Sequence, residues 1–247
     1  MNKKNIDLRT DGVDIVLQDV VFKINNRKIF DGLSCSLDKN LITVLLGYNG
    51  AGKTAFLKLL SGLSKPDKGI VKLSTSSEKI LFENVTMLFH KPVMLKRSVW
   101  SNIVYGLRLG AMDKNELFRF IQDAKIQHLV DRSAREISAG EQQRVAFVRA
   151  LATQPRVLLL DEPTSNLDPF SIDVIEELIK KISRLGVKIV MVTHNVEQAK
   201  RLAGEMIFMQ DGKILEQKTR EQLFQKTALS ILQRFALGQE LKNDQVI

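Results

Sequence analysis

The stretch Gly47-Tyr48-Asn49-Gly50-Ala51-Gly52-Lys53-Thr54 fits G-x-x-x-x-G-K-[ST], a spacing that suits a loop wrapped around phosphate oxygens. Its three glycines let the backbone fold back and aim several N–H groups at one point. Lys53 has the reach to meet the β- and γ-phosphates, and the Thr54 hydroxyl can coordinate Mg²⁺. Elsewhere, the apolar run Val157-Leu158-Leu159-Leu160 leads into Asp161-Glu162. A carboxylate at the C-terminal edge of a strand faces the ligand crevice of an open α/β sheet. Asp161 there suits a Mg²⁺ ligand, usually through water. Glu162 points the other way and can address an attacking water. His194, after Thr193, ends another apolar run and could hydrogen-bond a γ-phosphate. By themselves, two carboxylates at a strand end are also loop anchors, and a histidine is also an ordinary core residue. The phosphate loop in the same chain favours the catalytic reading. His128 lacks such a context and reads as surface.

These groups need a scaffold. Leu41-Ile42-Thr43-Val44-Leu45-Leu46 before the glycine loop is short and apolar, as a buried parallel strand is. Ala55-Phe56-Leu57-Lys58-Leu59-Leu60 after it reads as a helix, whose N-terminus adds partial positive charge at the loop. Residues 14–37 alternate apolar and polar about a turn at Asn25-Asn26, as antiparallel strands do. Further edge strands are expected over 70–82, and Val85-Thr86-Met87-Leu88-Phe89 reads as a second buried strand. From about 96 to 154 the texture is helical. Asp113 and Glu116 form a capping-box pattern ahead of Leu117, Phe118, Phe120, Ile121 and Ala124, and Ser138 with Glu141 forms another. Strands return at 157–160 and 187–192. Met206–Met209 and Lys213–Leu215 read as a hairpin on the two-residue turn Asp211-Gly212. A helical tail follows from about 219, with Leu223, Phe224, Leu229, Ile231 and Leu232 on its apolar side. The helical block lies between strands of one sheet and is therefore an insertion.

The 247 residues allow one large α/β domain or two small ones. No apolar run approaches the roughly 20 residues that cross a bilayer, and the lysines near Met1 have no apolar stretch behind them, so no secretory signal is expected. Cys35 is the single cysteine; it points to a reducing, cytosolic compartment and reads as a small core residue. The net charge is +9, from 37 Lys+Arg against 28 Asp+Glu. The lysines are spread along the chain without basic–aromatic alternation, so a solvated surface is the better reading and no nucleic-acid partner is expected.

The order of the motifs is a resemblance. Ile137-Ser138-Ala139-Gly140-Glu141-Gln142-Gln143-Arg144 resembles the signature motif of ATP-binding cassette ATPases, and Asp161-Glu162-Pro163-Thr164-Ser165-Asn166-Leu167-Asp168 resembles their Walker B and D-loop. Thr193-His194 is similar to their switch histidine. The likeness runs from about residue 14 to 217 as one cassette domain, with the helical insertion at about 96–154 and a tail at 218–247. It implies an α/β fold: a P-loop NTPase (RecA-like) core, an antiparallel β subdomain and an inserted α-helical signature subdomain. It implies ATP and Mg²⁺ as cofactors, with Glu162, His194 and Lys53 as catalytic residues. Residues 47–55 with Ile24, His90, Ser138, Ala139, Gly140 and Glu141 would bind ATP, and Thr54, Asp161 and His90 would meet the metal.

The resemblance further implies a head-to-tail homodimer in which each ATP lies between one phosphate loop and the partner's signature helix. The Ser138 hydroxyl and the N–H groups after it suit such a second anion site. Four positions depart from the family pattern: Ile24 stands for the adenine-stacking aromatic, Ala55 for a serine or threonine, Ala139 for the first signature glycine, and His90 for the Q-loop glutamine. A single short cassette is expected to be the energy subunit of a transporter, cytoplasmic and peripheral on the inner face of the membrane. Its partners would be a transmembrane permease and a substrate-binding protein. The segment 89–103 resembles importer cassettes, especially those for tungstate and related oxyanions. In that setting Val93, Met94, Leu95 and Trp100 either meet a permease helix or pack inside the helical subdomain. An exporter cassette and a weakly hydrolysing scaffold cassette remain open.

Overall fold

The computed structural model describes residues 12–39, 42–75, 82–107, 112–223 and 231–236. Strands β1 (Asp14–Ile24) and β2 (Arg27–Leu37) pair antiparallel about Asn25 and Asn26. Both turn residues have positive φ, 49° and 63°, a conformation asparagine tolerates and one that matches strand twist in two-residue hairpins. Strand β3 (Thr43–Gly47) enters the glycine loop and helix α1 (Lys53–Leu60) leaves it. The chain then returns to the outer sheet as β4 (Lys68–Ser74), giving the antiparallel order β2-β1-β4. The edge structure expected over 70–82 therefore amounts to β4; Phe82–Asn84 is a 3₁₀ turn, and 76–81 lie outside the described residues.

The central sheet is built from β5 (Val85–Leu88), β6 (Val157–Asp161), β7 (Lys188–Val192), β3, β8 (Glu205–Gln210) and β9 (Lys213–Thr219). Its order is β5-β6-β7-β3-β8-β9, parallel except for β9. Strands β3, β6 and β7 are buried along their whole length, as continuous apolar runs with neighbours on both sides must be. The buried strand expected at 85–89 is instead an edge strand. It has β6 alone as a neighbour and stops at Leu88, its one buried residue, and Phe89 is exposed. Alternation splits the core in two. Val44 and Leu46 of β3 face one apolar cluster and Leu45 faces the other, which also takes in the inward side of β1 and β2.

Helices α2 (Val99–Leu107), α3 (Lys114–Asp123) and α4 (Ala139–Leu151) lie in the chain between β5 and β6, which are neighbours in the sheet. Asp113 caps α3 by accepting the Asn115 N–H at 2.8 Å. Leu117, Phe120 and Ile121 are buried, whereas Phe118 is half exposed and lies flat on Trp100, with ring centroids 5.6 Å apart. After β6 come α5 (Pro169–Arg184) and, after β7, α6 (Val196–Leu202). The turn at Asp211-Gly212 is present with positive φ at both residues, and β9 runs on to Thr219. Two short helices follow, α7 (Arg220–Leu223) and α8 (Ile231–Ala236). Leu223 and Leu232 are buried as the tail's apolar side requires; Phe224 and Leu229 lie outside the described residues.

At the N-terminal edge of the parallel strands a polar network closes on itself. The Lys188 ammonium donates to the Asp38 carbonyl and to Thr43 Oγ1 at 2.8 Å. Thr43 Oγ1 donates to Glu205 Oε2 at 2.7 Å. Gln217 Nε2 donates to Glu205 Oε1 at 2.7 Å and to the Ser36 carbonyl at 2.6 Å, which links the network to β2. Burial pushes the Lys188 ammonium down to about 8 despite Glu205 and Asp38 beside it.

Candidate nucleotide site

The opposite edge of the same strands carries the reactive side chains. At Gly47 the chain turns with φ 144°, and a Cβ there would lie 2.0 Å from the Met209 carbonyl oxygen on β8. Only glycine lets the loop leave the sheet at that point. Lys53 is buried and turns back over the loop, donating to the Gly47 and Tyr48 carbonyls at 2.8 Å each. Burial lowers its pKa, against the pull of Glu162 and Asp161. Backbone carbonyls hold the ammonium without neutralising it, so its charge stays available to phosphate.

Thr54 Oγ1 lies 3.0 and 3.3 Å from the two carboxylate oxygens of Asp161. Burial raises the Asp161 carboxyl, and the hydrogen bond from Thr54 works against that rise. Two hard oxygen donors side by side fit Mg²⁺, which takes one or two protein ligands and fills its shell with phosphate and water.

Glu162 has φ 49°, a left-handed conformation uncommon for a non-glycine residue. Its N–H is tied to the Val192 carbonyl at 3.0 Å, so β7 holds the strained residue. Glu162 Oε2 lies 3.1 Å from His194 Nδ1 and 3.5 Å from His90 Nδ1. The three residues come from three different strand ends. Lys53, Thr54, Asp161, Glu162, His90 and His194 are thus brought to one edge. His194 is exposed and not a core histidine, as is His128 on its 3₁₀ turn.

The remaining predicted residues are placed around this group. Tyr48, Asn49 and Gly50 are exposed, Ala51 is buried, and Gly52 packs under Phe30 of β2. Ile24 is 44% exposed at the end of β1, and Ala55 is half-buried on α1. Ser138 caps α4 in a reciprocal box: Ser138 Oγ accepts the Glu141 N–H at 3.3 Å and Glu141 Oε2 accepts the Ser138 N–H at 2.8 Å. The Glu141 carboxylate is therefore held at the cap. Among the described residues no hydrogen bond or ion pair joins Ser138–Glu141 to the phosphate loop of the same chain. Gly140 instead lies against the start of α5. A Cβ on it would come 2.3 Å from Ser171 Oγ and 2.9 Å from Asp168 Oδ2.

Sequence reasoning missed two supports. Gln198 on α6 meets Thr164 Oγ1 at 2.8 Å and Glu176 Oε1 at 3.1 Å, and Arg201 clamps Glu176 with contacts of 2.9 and 2.6 Å. This network, buried at Thr164, Glu176 and Gln198, joins the segment after Glu162 to the helix after His194. The other is an aromatic group around Tyr48, made with Phe208 and Phe235. Both bring together residues far apart in the chain, and no local pattern announces them.

A model of the ABC transporter family matches residues 30–165, more than half of the chain. The chain belongs to this family. It is 39% identical over 193 residues to the tungstate uptake system ATP-binding protein TupC of Peptoclostridium acidaminophilum, covering 76% of this chain and 90% of the relative. It is 31% identical to the phosphate import ATP-binding protein PstB 1 of Lactobacillus acidophilus, covering 96% and 94%. A dimeric ATP-binding cassette solved in a post-hydrolysis state with ADP and Pi superposes with a TM-score of 0.72 at 23% identity, over 83% of this chain and 98% of that one. As a member of the family the chain binds ATP with Mg²⁺ and hydrolyses it. None of its described helices is long and apolar enough to cross a membrane.

Proposed function

We propose that this chain is the ATP-hydrolysing subunit of an importer for a small oxyanion of the tungstate or molybdate kind. The observation that carries the reading is the strand-edge cluster in which Glu162 lies between two imidazoles and beside the Thr54–Asp161 pair. Glu162 takes the proton of the attacking water. His194 orients the carboxylate and meets the γ-phosphate, and His90 stands where the family's Q-loop glutamine does. Lys53 exchanges its two carbonyls for the β- and γ-phosphates, and Thr54 and Asp161 would hold Mg²⁺, which would supply charge stabilisation to the phosphate oxygens when bound. The oxyanion class follows the tungstate and phosphate systems named for the relatives.

The working unit is a homodimer. The α4 N-terminus of one copy, Ser138 to Glu141, completes the site on the phosphate loop of the other. Residues 14–217 make the cassette, with 96–154 as its helical part and the tail beyond it. A permease reaches it on the helical part and the segment leading into it, where Phe89, Val93, Tyr105 and Phe118 leave apolar surface exposed, Val93 at 76%. Of Val93, Met94, Leu95 and Trp100, Met94 is buried, Leu95 and Trp100 are half-buried, and Val93 is the one free to meet the permease. A substrate-binding protein completes the assembly on the far side of the membrane, and the chain itself sits on the cytoplasmic face.

The test is Glu162→Gln. Loss of a general base costs roughly 10²–10⁴-fold in turnover, with ATP binding kept, and the variant should accumulate as an ATP-bound dimer on size-exclusion chromatography. Wild-type turnover in that variant would remove Glu162 from catalysis. Tight ATP binding with near-zero turnover in the unmutated protein would favour the scaffold reading instead.

A further inference from the structure

The tail reaches back to the phosphate loop. Helix α8 lies on β8 and β9, with Leu232 buried and its N–H donated to Glu216 Oε2 at 2.6 Å. From this seat Phe235 meets two rings. Its centroid is 4.9 Å from that of Phe208, which is fully buried in β8, and 5.5 Å from that of Tyr48, in an edge-to-face arrangement. Tyr48 and Phe208 are themselves edge-on at 6.0 Å. Each ring therefore touches the other two, in the geometry aromatic quadrupoles favour.

Tyr48 is the first residue of the phosphate loop after β3, and its carbonyl is a junction. It accepts the Lys53 ammonium at 2.8 Å and the Ala51 N–H at 3.2 Å. The orientation of that peptide helps to determine where Lys53 rests and how the N–H groups of the loop converge. Tyr48 remains 43% exposed with both rings in place, and among the described residues Phe208 and Phe235 are the rings that meet it.

We propose that Phe235 is a positioning residue of the ATPase. It holds Tyr48, and through Tyr48 it keeps the phosphate loop in the arrangement that receives nucleotide. The tail is then part of the nucleotide site. This rests on the phosphate loop being the ATP site. A loop already ordered loses less entropy when ATP arrives, so the contribution is to binding in the ground state and the transition state alike, and it shows in KM more than in kcat.

The experiment is steady-state ATPase kinetics with direct ATP titration on the full chain, well below the melting temperature. Phe235→Ala should raise KM and Kd for ATP about three- to tenfold, the range that aromatic contacts of this kind support, with kcat changing much less. Phe235→Tyr, which keeps the ring, should restore both. Tyr48→Ala should weaken binding, and adding Phe235→Ala to it should add little, because contacts acting through one another are not additive. Unchanged KM in Phe235→Ala, or full additivity with Tyr48→Ala, would overturn the proposal. If Phe235→Ala does not fold, Phe235→Leu keeps most of the volume without the ring and decides in the same way. Lys53→Ala is the control: ATP binding retained there would refute the site itself, whereas binding lost there and unchanged in Phe235→Ala would refute only the role of the tail.

Discussion

The two edges of the parallel sheet each hold a buried lysine among carboxylates, and they put it to opposite use. At the C-terminal edge Lys53 donates to two backbone carbonyls, with Asp161 and Glu162 close enough to act on its charge but bonded elsewhere. At the N-terminal edge Lys188 is bonded into a closed ring with Thr43 and Asp38, and Glu205 is satisfied by Thr43 and Gln217. Carbonyls are neutral and remain useful acceptors when a stronger anion takes the ammonium away. Lys188 also donates to a carbonyl, but its other acceptor is the buried Thr43 hydroxyl, whose own proton is committed to Glu205, so removing the ammonium leaves that hydroxyl short of a donor away from water. The difference teaches that burial of a lysine marks neither function nor structure. Exchangeable partners mark the first, and closed ones the second.

The sharpest way to break this comparison is to remove each lysine in turn. Lys53→Ala should cut ATP turnover by about 10²–10³-fold or more, the scale of losing one preorganised donor to developing charge, with little change in the urea midpoint. Lys188→Ala should do the reverse. Leaving the buried Thr43 hydroxyl short of its donor costs about 1–3 kcal/mol, so its urea midpoint should fall while turnover per folded molecule at low temperature is kept. Lys188→Met with Glu205→Gln should recover part of the loss. If Lys188→Ala is stable but inactive, the two edges are not separate in their roles.

The next effect is one of pH and belongs to Lys188 alone. Its folded value is about 8, below the ordinary 10.5. Between those values the unfolded chain binds more protons than the folded one, so stability rises with pH. The contribution is present above 10.5 and is lost as pH falls through about 8. The stability of the wild-type protein measured against Lys188→Met should therefore increase from about pH 8 towards about pH 10. A flat difference would mean that Lys188 keeps an ordinary pKa in its ring.

How much of this was legible depended on how local each feature is. The glycine loop, Asp161-Glu162 and the Ser138–Glu141 box are short-range devices, and their elements form where the pattern placed them. The edge place of β5 is not legible in its residues, because apolar content does not say how many neighbours a strand has. The capping pattern at Asp113 announces α3 but not which of its apolar residues face the core: Phe118 covers Trp100 on the surface. The ring of Lys188, the Gln198 network and the Tyr48–Phe235 contact were invisible, since each joins residues that only the folded topology brings together.

Gly140 tests the near side of the signature helix. A head-to-tail dimer would place its backbone against a γ-phosphate, but its Cβ position is already occupied within the chain, by Ser171 Oγ and Asp168 Oδ2. Gly140→Asp would add a carboxylate beside Asp168 and displace the cap of α5 as well as repel phosphate. Gly140→Ala separates the two causes. Paired with Ser171→Ala, which removes the Oγ atom closest to the new Cβ, Gly140→Ala should regain part of its stability. Activity that returns with stability would place the defect in the α4–α5 contact, and activity that stays low would place it at the nucleotide.

The smallest expected effect lies at the rim of the reactive edge, where the comparison predicts tolerance because partners there are exchangeable. Ile24 ends β1 with 44% of its surface exposed, and nothing aromatic stands in its place to stack on a base. Stacking on an aromatic face is worth about 1–3 kcal/mol per base, and an aliphatic side chain keeps only the apolar part of that. Ile24→Tyr should therefore tighten ATP binding by up to roughly tenfold, since about 1.4 kcal/mol is one decade. Ile24 pairs with Arg27 across the Asn25-Asn26 turn, and tyrosine is favoured in strands, so the substitution should leave the hairpin intact. The gain should be larger for ATP than for inorganic triphosphate, which has no base to stack. Equal effects on both would mean that the tyrosine acts on the loop and that adenine lies elsewhere.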